Sequence, residues 1–138
     1  MDMRTIDRVD VALAAVVLVH LGVALVHGQA HQGASVALSE GSNFFVLTVI
    51  IIGPLAGLAW SWFVNQRAGA WVIGTTMAAS LVFGVVNHFV LMSPDHVSQV
   101  DAAWRRQFGS TAVLLACIET VGSGVGMWRA VRSKWRIS

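Results

Sequence analysis

Four long apolar stretches constrain this chain more than any other feature. They run at about 9–27, 44–64, 70–92 and 108–130. Each approaches or exceeds the roughly 20 residues that a helix needs to cross a hydrocarbon core. Because a backbone surrounded by lipid must satisfy its own hydrogen bonds, we expect each stretch to be helical. The sequence therefore predicts an all-α protein, an integral membrane bundle of four transmembrane helices.

The composition also indicates lipid as the solvent. Of the 138 residues, 56% are hydrophobic and only 12% are charged, whereas an ordinary soluble domain carries about a quarter charged residues. We expect residues 1–138 to form one multi-pass domain in the cell (inner or plasma) membrane, with the lipid bilayer as its partner. No basic face with interleaved aromatic residues is present, which argues against nucleic acid binding. The single cysteine, Cys117, excludes an intrachain disulfide.

The basic residues predict an orientation, because lysine and arginine concentrate on the cytoplasmic side of membrane proteins. Only Arg105 and Arg106 fall on one side of a four-span bundle. The other seven fall on the opposite side: Arg4, Arg8, Arg67, Arg129, Arg132, Lys134 and Arg136. We therefore expect cytoplasmic N- and C-termini, and two longer connections, at about 28–43 and 93–107, that face outward.

The second outer connection carries a helix-start pattern. Residues 93–95 read Ser-Pro-Asp, which places a capping serine, a proline and an acidic residue in the order that begins many helices. Val97, Val100 and Trp104 then recur at helical spacing. The pattern predicts either a short amphipathic outer helix or a long extension before the fourth helix.

Two further patterns concern packing within the bundle. Gly53 and Pro54 fall in the middle of the second stretch, where proline removes one backbone hydrogen bond and should bend the helix. Gly122 and Gly126 are four residues apart in the fourth stretch, a spacing that allows close helix packing.

Histidines form the most informative polar pattern. At about 100° per residue, His20, His27 and His31 fall on one stripe of the first helix. Counting the helical rise along the bundle places His88 of the third helix at the depth of His27, toward the outer face. The same count places Glu119 of the fourth helix near the midplane, at the depth of His20. We therefore expect two polar layers inside the bundle.

The outer layer has the composition of a transition-metal site. His27 and His31 are four residues apart and share a helix face, and His88 can add a third nitrogen. His96 or the carboxylate of Glu40 can supply a further ligand or orient a ligating imidazole. Imidazole donors suit zinc, copper and iron. The sequence therefore predicts an outward-facing histidine cluster that binds one of these ions.

Other interpretations of the histidines remain open. His27 and His88 are suited to hold a b-type haem between two imidazoles, and His20 can support a second such site. The cluster can also sense protons, or consist of interfacial histidines hydrogen-bonded to backbone or lipid headgroups.

The intramembrane carboxylate is a candidate for proton chemistry. A carboxylate near the bilayer centre is costly and usually faces the interior with a partner, here His20. In a metalloenzyme, Glu119 or Asp95 would handle protons while the ion activates oxygen or water. The alternative is a polar clasp in which Glu119 and His20 join two helices.

These features leave three classes of function and do not settle whether the protein is an enzyme. The first is a small membrane metalloprotein, such as a redox or metalloenzyme unit. The second is a proton-conducting, ion-conducting or transporter subunit that uses His20 and Glu119. The third is a structural or assembly subunit, either in a homo-oligomer or in a larger membrane complex. The sequence has no nucleophile elbow of the α/β-hydrolase type.

Overall fold

The computed structural model describes residues 8–132, and within that range it contains helices and connections but no strand. The helices are α1 (Arg8–Gly33), α2 (Glu40–Phe45), α3 (Gly53–Phe63), α4 (Gln66–Val85) and α5 (Ala102–Arg132), with π-helical segments at Val46–Ile52 and Val86–Val90. Because each π-helical segment continues its neighbours, the chain forms four long helices. All four are long and apolar enough to cross a membrane: Val11–Gly33, Glu40–Phe63, Gln66–Val90 and Ala102–Arg132.

The long helices run up and down the bundle. The loops at 34–39 and 91–101 lie at one end, which we call the two-loop end. The turn at 64–65, the start of α1 and the end of α5 lie at the other, which we call the turn end. Helix α1 packs on α5, α5 packs on α4, and α4 packs on α3. The first long helix contacts the second mainly through α3, so the two diverge toward the two-loop end.

Two helix boundaries differ from the prediction by more than the others, the end of α1 and the start of α5. Helix α1 continues to Gly33 rather than ending near residue 27, which keeps His31 on the same helix as His27. Residues 91–101 form turns, so the predicted separate amphipathic helix is absent and Pro94 does not begin a helix. Helix α5 extends back to Ala102 instead, where the carboxylate of Asp101 accepts a hydrogen bond from the N–H of Ala103 at 2.8 Å.

Tertiary contacts explain why the helix-start pattern at 93–95 is not used. The N–H of Val97 donates a hydrogen bond of 3.0 Å to the carbonyl of His88, which folds the loop back onto the third long helix. Asp95 is buried in the same fold of the chain. Its carboxylate therefore points into the bundle and cannot serve the first turn of a helix.

The irregularity expected at Gly53 and Pro54 takes the form of a π-helical segment. The N–H of Gly53 bonds to the carbonyl of Thr48, five residues back, immediately before the proline that cannot donate. The second π-helical segment was not predicted from sequence. It ends where the N–H of Leu91 bonds to the carbonyl of Val86 at 2.8 Å, and it carries His88.

Glycines bring the backbones of neighbouring helices into direct contact. A Cβ on Gly126 would lie 2.8 Å from the backbone nitrogen of Gly74, so α4 and α5 meet there without side chains between them. A Cβ on Gly57 would lie 3.0 Å from the carbonyl oxygen of Gly69, which brings α3 equally close to α4. The close packing predicted for Gly126 is confirmed, and Gly122 packs against Met77.

We predict that Gly126→Val lowers the free energy of unfolding by about 1–3 kcal/mol, because the new side chain has no room against α4. Gly124→Val is the matched control, since a Cβ at Gly124 meets nothing within 4 Å on the same helix. Thermal unfolding of both variants in one detergent, followed by circular dichroism, measures the difference. Equal midpoints for the two variants would contradict the close contact between α4 and α5.

Candidate metal centre

Three histidines converge at the two-loop end of the bundle. His27 and His31 come from α1, and His88 comes from the π-helical segment Val86–Val90. One ring nitrogen from each histidine lies within 4.8 Å of the other two, and the Nε2 atoms of His27 and His88 are 3.2 Å apart. The predicted match in depth between His27 and His88 is therefore confirmed. We call these three residues the histidine cluster.

The hydrogen-bond partner of His27 defines which of its nitrogens carries the proton. The hydroxyl of Thr111 donates its own proton to the carbonyl of Gln107, at 2.7 Å. The Thr111 oxygen is therefore the acceptor in its 2.8 Å contact with Nδ1 of His27. Assigned from these partners, the neutral ring of His27 is protonated at Nδ1 and has a lone pair at Nε2.

His88 is held in the same tautomer by a different partner. Its Nδ1 lies 3.1 Å from the backbone carbonyl oxygen of Asp95, which can only accept a hydrogen bond. The neutral ring of His88 therefore also has its lone pair at Nε2. The lone pairs of His27 and His88 point at each other across 3.2 Å, a repulsive arrangement unless a proton or a cation lies between them.

His31 offers a third lone pair. Its Nε2 lies 3.4 Å from the carboxylate oxygen Oδ1 of Asp95, an acceptor that favours a proton on that nitrogen. Its Nδ1 is buried and has no hydrogen-bond partner among residues 8–132. A buried nitrogen without a partner is costly, so the site favours an added group that bonds to it.

Asp95 lies behind two of the three imidazoles. Its Oδ1 is 3.3 Å from Nδ1 of His88 and 3.4 Å from Nε2 of His31, although neither contact has the alignment of a full hydrogen bond. Burial alone would raise the pKa of Asp95, but the contact with His88 and the electrostatic attraction of the three imidazoles outweigh burial and lower it. An ionised carboxylate in this place orients imidazoles and increases their basicity as ligands.

Two residues of α5 that position the histidine cluster were not predicted from sequence. Phe108 is fully buried, and its ring centroid lies 4.7–5.1 Å from the centroids of all three imidazoles. Thr111, three residues later on the same helix face, binds His27. A sequence signal exists, because positions 108, 111, 112, 115 and 119 follow helical spacing and mark one face of α5.

Two predicted ligands lie outside the histidine cluster. Nδ1 of His96 contacts the hydroxyl of Ser98 at 2.8 Å and accepts a hydrogen bond from the N–H of the same residue. Glu40 is exposed in the first turn of α2. The structure therefore brings together three of the five predicted metal ligands, with Asp95 beside them.

The second predicted layer also forms. Nε2 of His20 and Oε1 of Glu119 are 3.1 Å apart, and both side chains are almost fully buried. This contact joins α1 to α5. It confirms that the two residues lie at the same depth in the bundle.

A cavity of about 300 Å³ connects the two layers. The three cluster histidines and Asp95 line one end, and Glu119 lies toward the other. Most of the residues between these ends are apolar. The histidine cluster is therefore accessible from inside the bundle.

Comparison of the chain with protein-family models, with curated proteins and with solved structures finds no match.

We predict that Glu119→Leu lowers the free energy of unfolding by about 1–3 kcal/mol, because it leaves Nε2 of His20 buried without a partner. The double variant His20→Leu with Glu119→Leu should recover part of this loss, since it removes both polar groups. Thermal unfolding of Glu119→Leu, His20→Leu and the double variant, compared with the unaltered protein, completes the double-mutant cycle. Additive losses would show that the pair is not coupled.

Proposed function

We propose that this protein spans a membrane and binds one transition-metal ion through His27, His31 and His88. The observation that carries the proposal is the 3.2 Å distance between the Nε2 atoms of His27 and His88, to each of which the partners at Nδ1 assign a lone pair. The other nitrogen of each of these two rings faces a hydrogen-bond acceptor, so shifting either ring's proton from Nδ1 to Nε2 would lose that hydrogen bond. A cation between the nitrogens removes the repulsion.

The separation suits two ligands of one ion. With metal–imidazole bonds of about 2.0–2.1 Å, two ligand nitrogens lie about 2.9 Å apart at a right angle and about 3.3 Å apart at a tetrahedral angle. The distance of 3.2 Å between His27 and His88 falls within this range. Two imidazoles on opposite faces of a haem iron would be about 4 Å apart at the same bond length, with the macrocycle between them. The geometry therefore favours a shared ion, and the haem alternative has no support.

The donor set indicates the class of ion. Three imidazoles backed by a carboxylate suit zinc, copper or iron, and no thiolate is among them. Three histidine ligands are also typical of catalytic zinc sites, which keep a fourth position open for water or substrate. Here that position would face the cavity. The bound ion would polarise or activate a ligand there, as in a redox or metalloenzyme unit, while Asp95 holds His31 and His88 in place.

The proposed membrane placement follows from helix length and charge. Arg67, Arg129 and Arg132 belong to the turn end, whereas Arg105 and Arg106 belong to the two-loop end. The excess at the turn end favours a cytoplasmic turn end and an outward-facing histidine cluster.

A conducting path through His20 and Glu119 is the second candidate, and the packing around the pair argues against it. Between the pair and the turn end, the described core consists largely of tightly packed apolar side chains, such as Leu13, Ile73 and Met77. This part of the bundle offers few groups to relay a proton. The pair therefore fits better as a fixed polar contact between α1 and α5.

The proposal predicts about one equivalent of bound metal per chain. Protein purified without a polyhistidine tag, stripped with chelator and titrated with Co²⁺, should develop the visible absorption of a nitrogen-liganded site. His27→Ala and His88→Ala should each abolish stoichiometric binding, as checked by elemental analysis. His96→Ala is the control and should bind as the unaltered protein does, since His96 lies outside the histidine cluster. Undiminished binding in both cluster variants would refute the site.

The role assigned to Asp95 gives a separate prediction. Asp95→Asn should weaken Co²⁺ binding about 10–100-fold without abolishing it, the usual effect of removing a carboxylate that supports ligating histidines. Glu40→Gln removes an exposed carboxylate and should leave the affinity unchanged. Competition against a chelator of known affinity measures both. Equal affinities in the two variants would show that Asp95 does not contribute to metal binding.

A further inference from the structure

The cavity beside the histidine cluster is elongated along the bundle. On α1 its lining runs from Ala24 to His31, and on α5 from Ala112 to Glu119. Each interval is seven residues, which corresponds to about 10 Å of helix rise. A volume of about 300 Å³ is at the lower end of the range for pockets that hold organic ligands. The shape is that of a channel running from the cluster toward the middle of the bundle.

The walls of the channel are apolar. Val46, Ile50 and Ile51 line it from the second long helix, Phe83 from α4 and Leu115 from α5. The polar lining residues lie near the two ends: Gln32, Asn43, Asp95 and the histidine cluster toward the two-loop end, and Ser80 and Glu119 toward the middle of the bundle. Among residues 8–132, the buried side-chain atoms without a hydrogen-bond partner are both at the cluster end, Nδ1 of His31 and Oδ1 of Asp95, whereas Oε1 of Glu119 is bonded to His20.

The sparse contact between the first two long helices places the opening of the channel between them. These helices diverge toward the two-loop end, and the lining residues Ala24, Gly28, Ile50 and Ile51 are half-buried there rather than closed off by packing. In a membrane this side of the bundle faces lipid. A molecule dissolved in the bilayer can therefore enter sideways without crossing water.

We propose that the channel binds a single-chain amphiphile, with its alkyl chain along the apolar walls and an oxygen-bearing head group, such as a carboxylate or a hydroxyl, at the metal. This inference rests on the metal site proposed above. An amphiphile in one leaflet already has its head near the membrane face and its chain toward the midplane. The channel has the same order of polar and apolar groups, so the molecule would enter without turning over.

Glycines in the channel wall provide a direct test. A Cβ on Gly28 meets nothing within 4 Å, and a Cβ on Gly84 meets only Cδ2 of His88, at 3.9 Å. Both glycines line the channel from opposite sides, so Gly28→Leu or Gly84→Leu would fill it without a clash at the Cβ. Gly124→Leu is the matched control, because its Cβ also meets nothing within 4 Å and Gly124 does not line the channel.

The first experiment uses Co²⁺-loaded protein in phosphatidylcholine nanodiscs and follows the visible spectrum on addition of dodecanoate. We expect a spectral change with dodecanoate that acetate at the same concentration does not produce. Gly28→Leu and Gly84→Leu should bind Co²⁺ with unchanged stoichiometry. In both variants the dodecanoate concentration that gives half of the spectral change should rise at least tenfold, whereas in Gly124→Leu it should stay the same. Equal responses to acetate and dodecanoate, or an unchanged response in both channel variants, would overturn the proposal.

The second experiment does not depend on metal. A diazirine-bearing twelve-carbon fatty acid is photolysed with the metal-free protein, and the labelled peptides are mapped by mass spectrometry. We expect labelling at Ile50 or Ile51 that excess dodecanoate displaces and that Gly28→Leu abolishes. This result supports the chain-binding channel even if Co²⁺ fails to bind and the metal proposal is refuted. Labelling that is not displaced, or that is equal in Gly28→Leu and Gly124→Leu, overturns the channel.

Discussion

Two imidazole nitrogens held 3.2 Å apart in a buried site are the constraint on which the arrangement of the two-loop end depends. The contact exists because each ring is bound from behind, His27 by the hydroxyl of Thr111 and His88 by the carbonyl of Asp95. Without either acceptor, the proton of that ring would be free to shift to Nε2 and form an N–H···N hydrogen bond across the gap. The histidine cluster therefore depends on α5 and on the loop at 91–101 as much as on the helices that carry the histidines.

Helix α5 links the two polar layers of the bundle. One face of this helix presents Phe108 and Thr111 to the histidine cluster and, about two turns further on, Glu119 to His20. Because α5 packs on both α1 and α4, a single helix sets the depth and rotation of both layers. The contact of Gly126 with Gly74 brings α5 close enough to α4 for this arrangement.

The two π-helical segments of the bundle both lie beside the proposed site. The π-helical segment Val46–Ile52 precedes Pro54, and it belongs to the part of the second long helix that diverges from α1 and borders the channel. The segment Val86–Val90 carries His88. π-Helical turns inside α-helices occur frequently at functional sites. In this chain one borders the cavity and the other supplies a candidate ligand.

The four apolar helices, the shared stripe of His20, His27 and His31, and the matched depths of the two layers were all predictable from the amino-acid sequence. These follow from local properties, namely hydropathy, 3.6-residue periodicity and helix rise, which need no knowledge of neighbours. Three features were not predictable in this way: residues 91–101 fold inward, Asp95 contacts two imidazoles, and His96 and Glu40 lie outside the histidine cluster. The position of Asp95 depends on its contact with His31, which lies far away in the chain, and on the hydrogen bond that folds Val97 back onto His88. Hydropathy, periodicity and helix rise carry no information about these contacts, so the local helix-start signal at 93–95 was a poor guide to the fold of the loop.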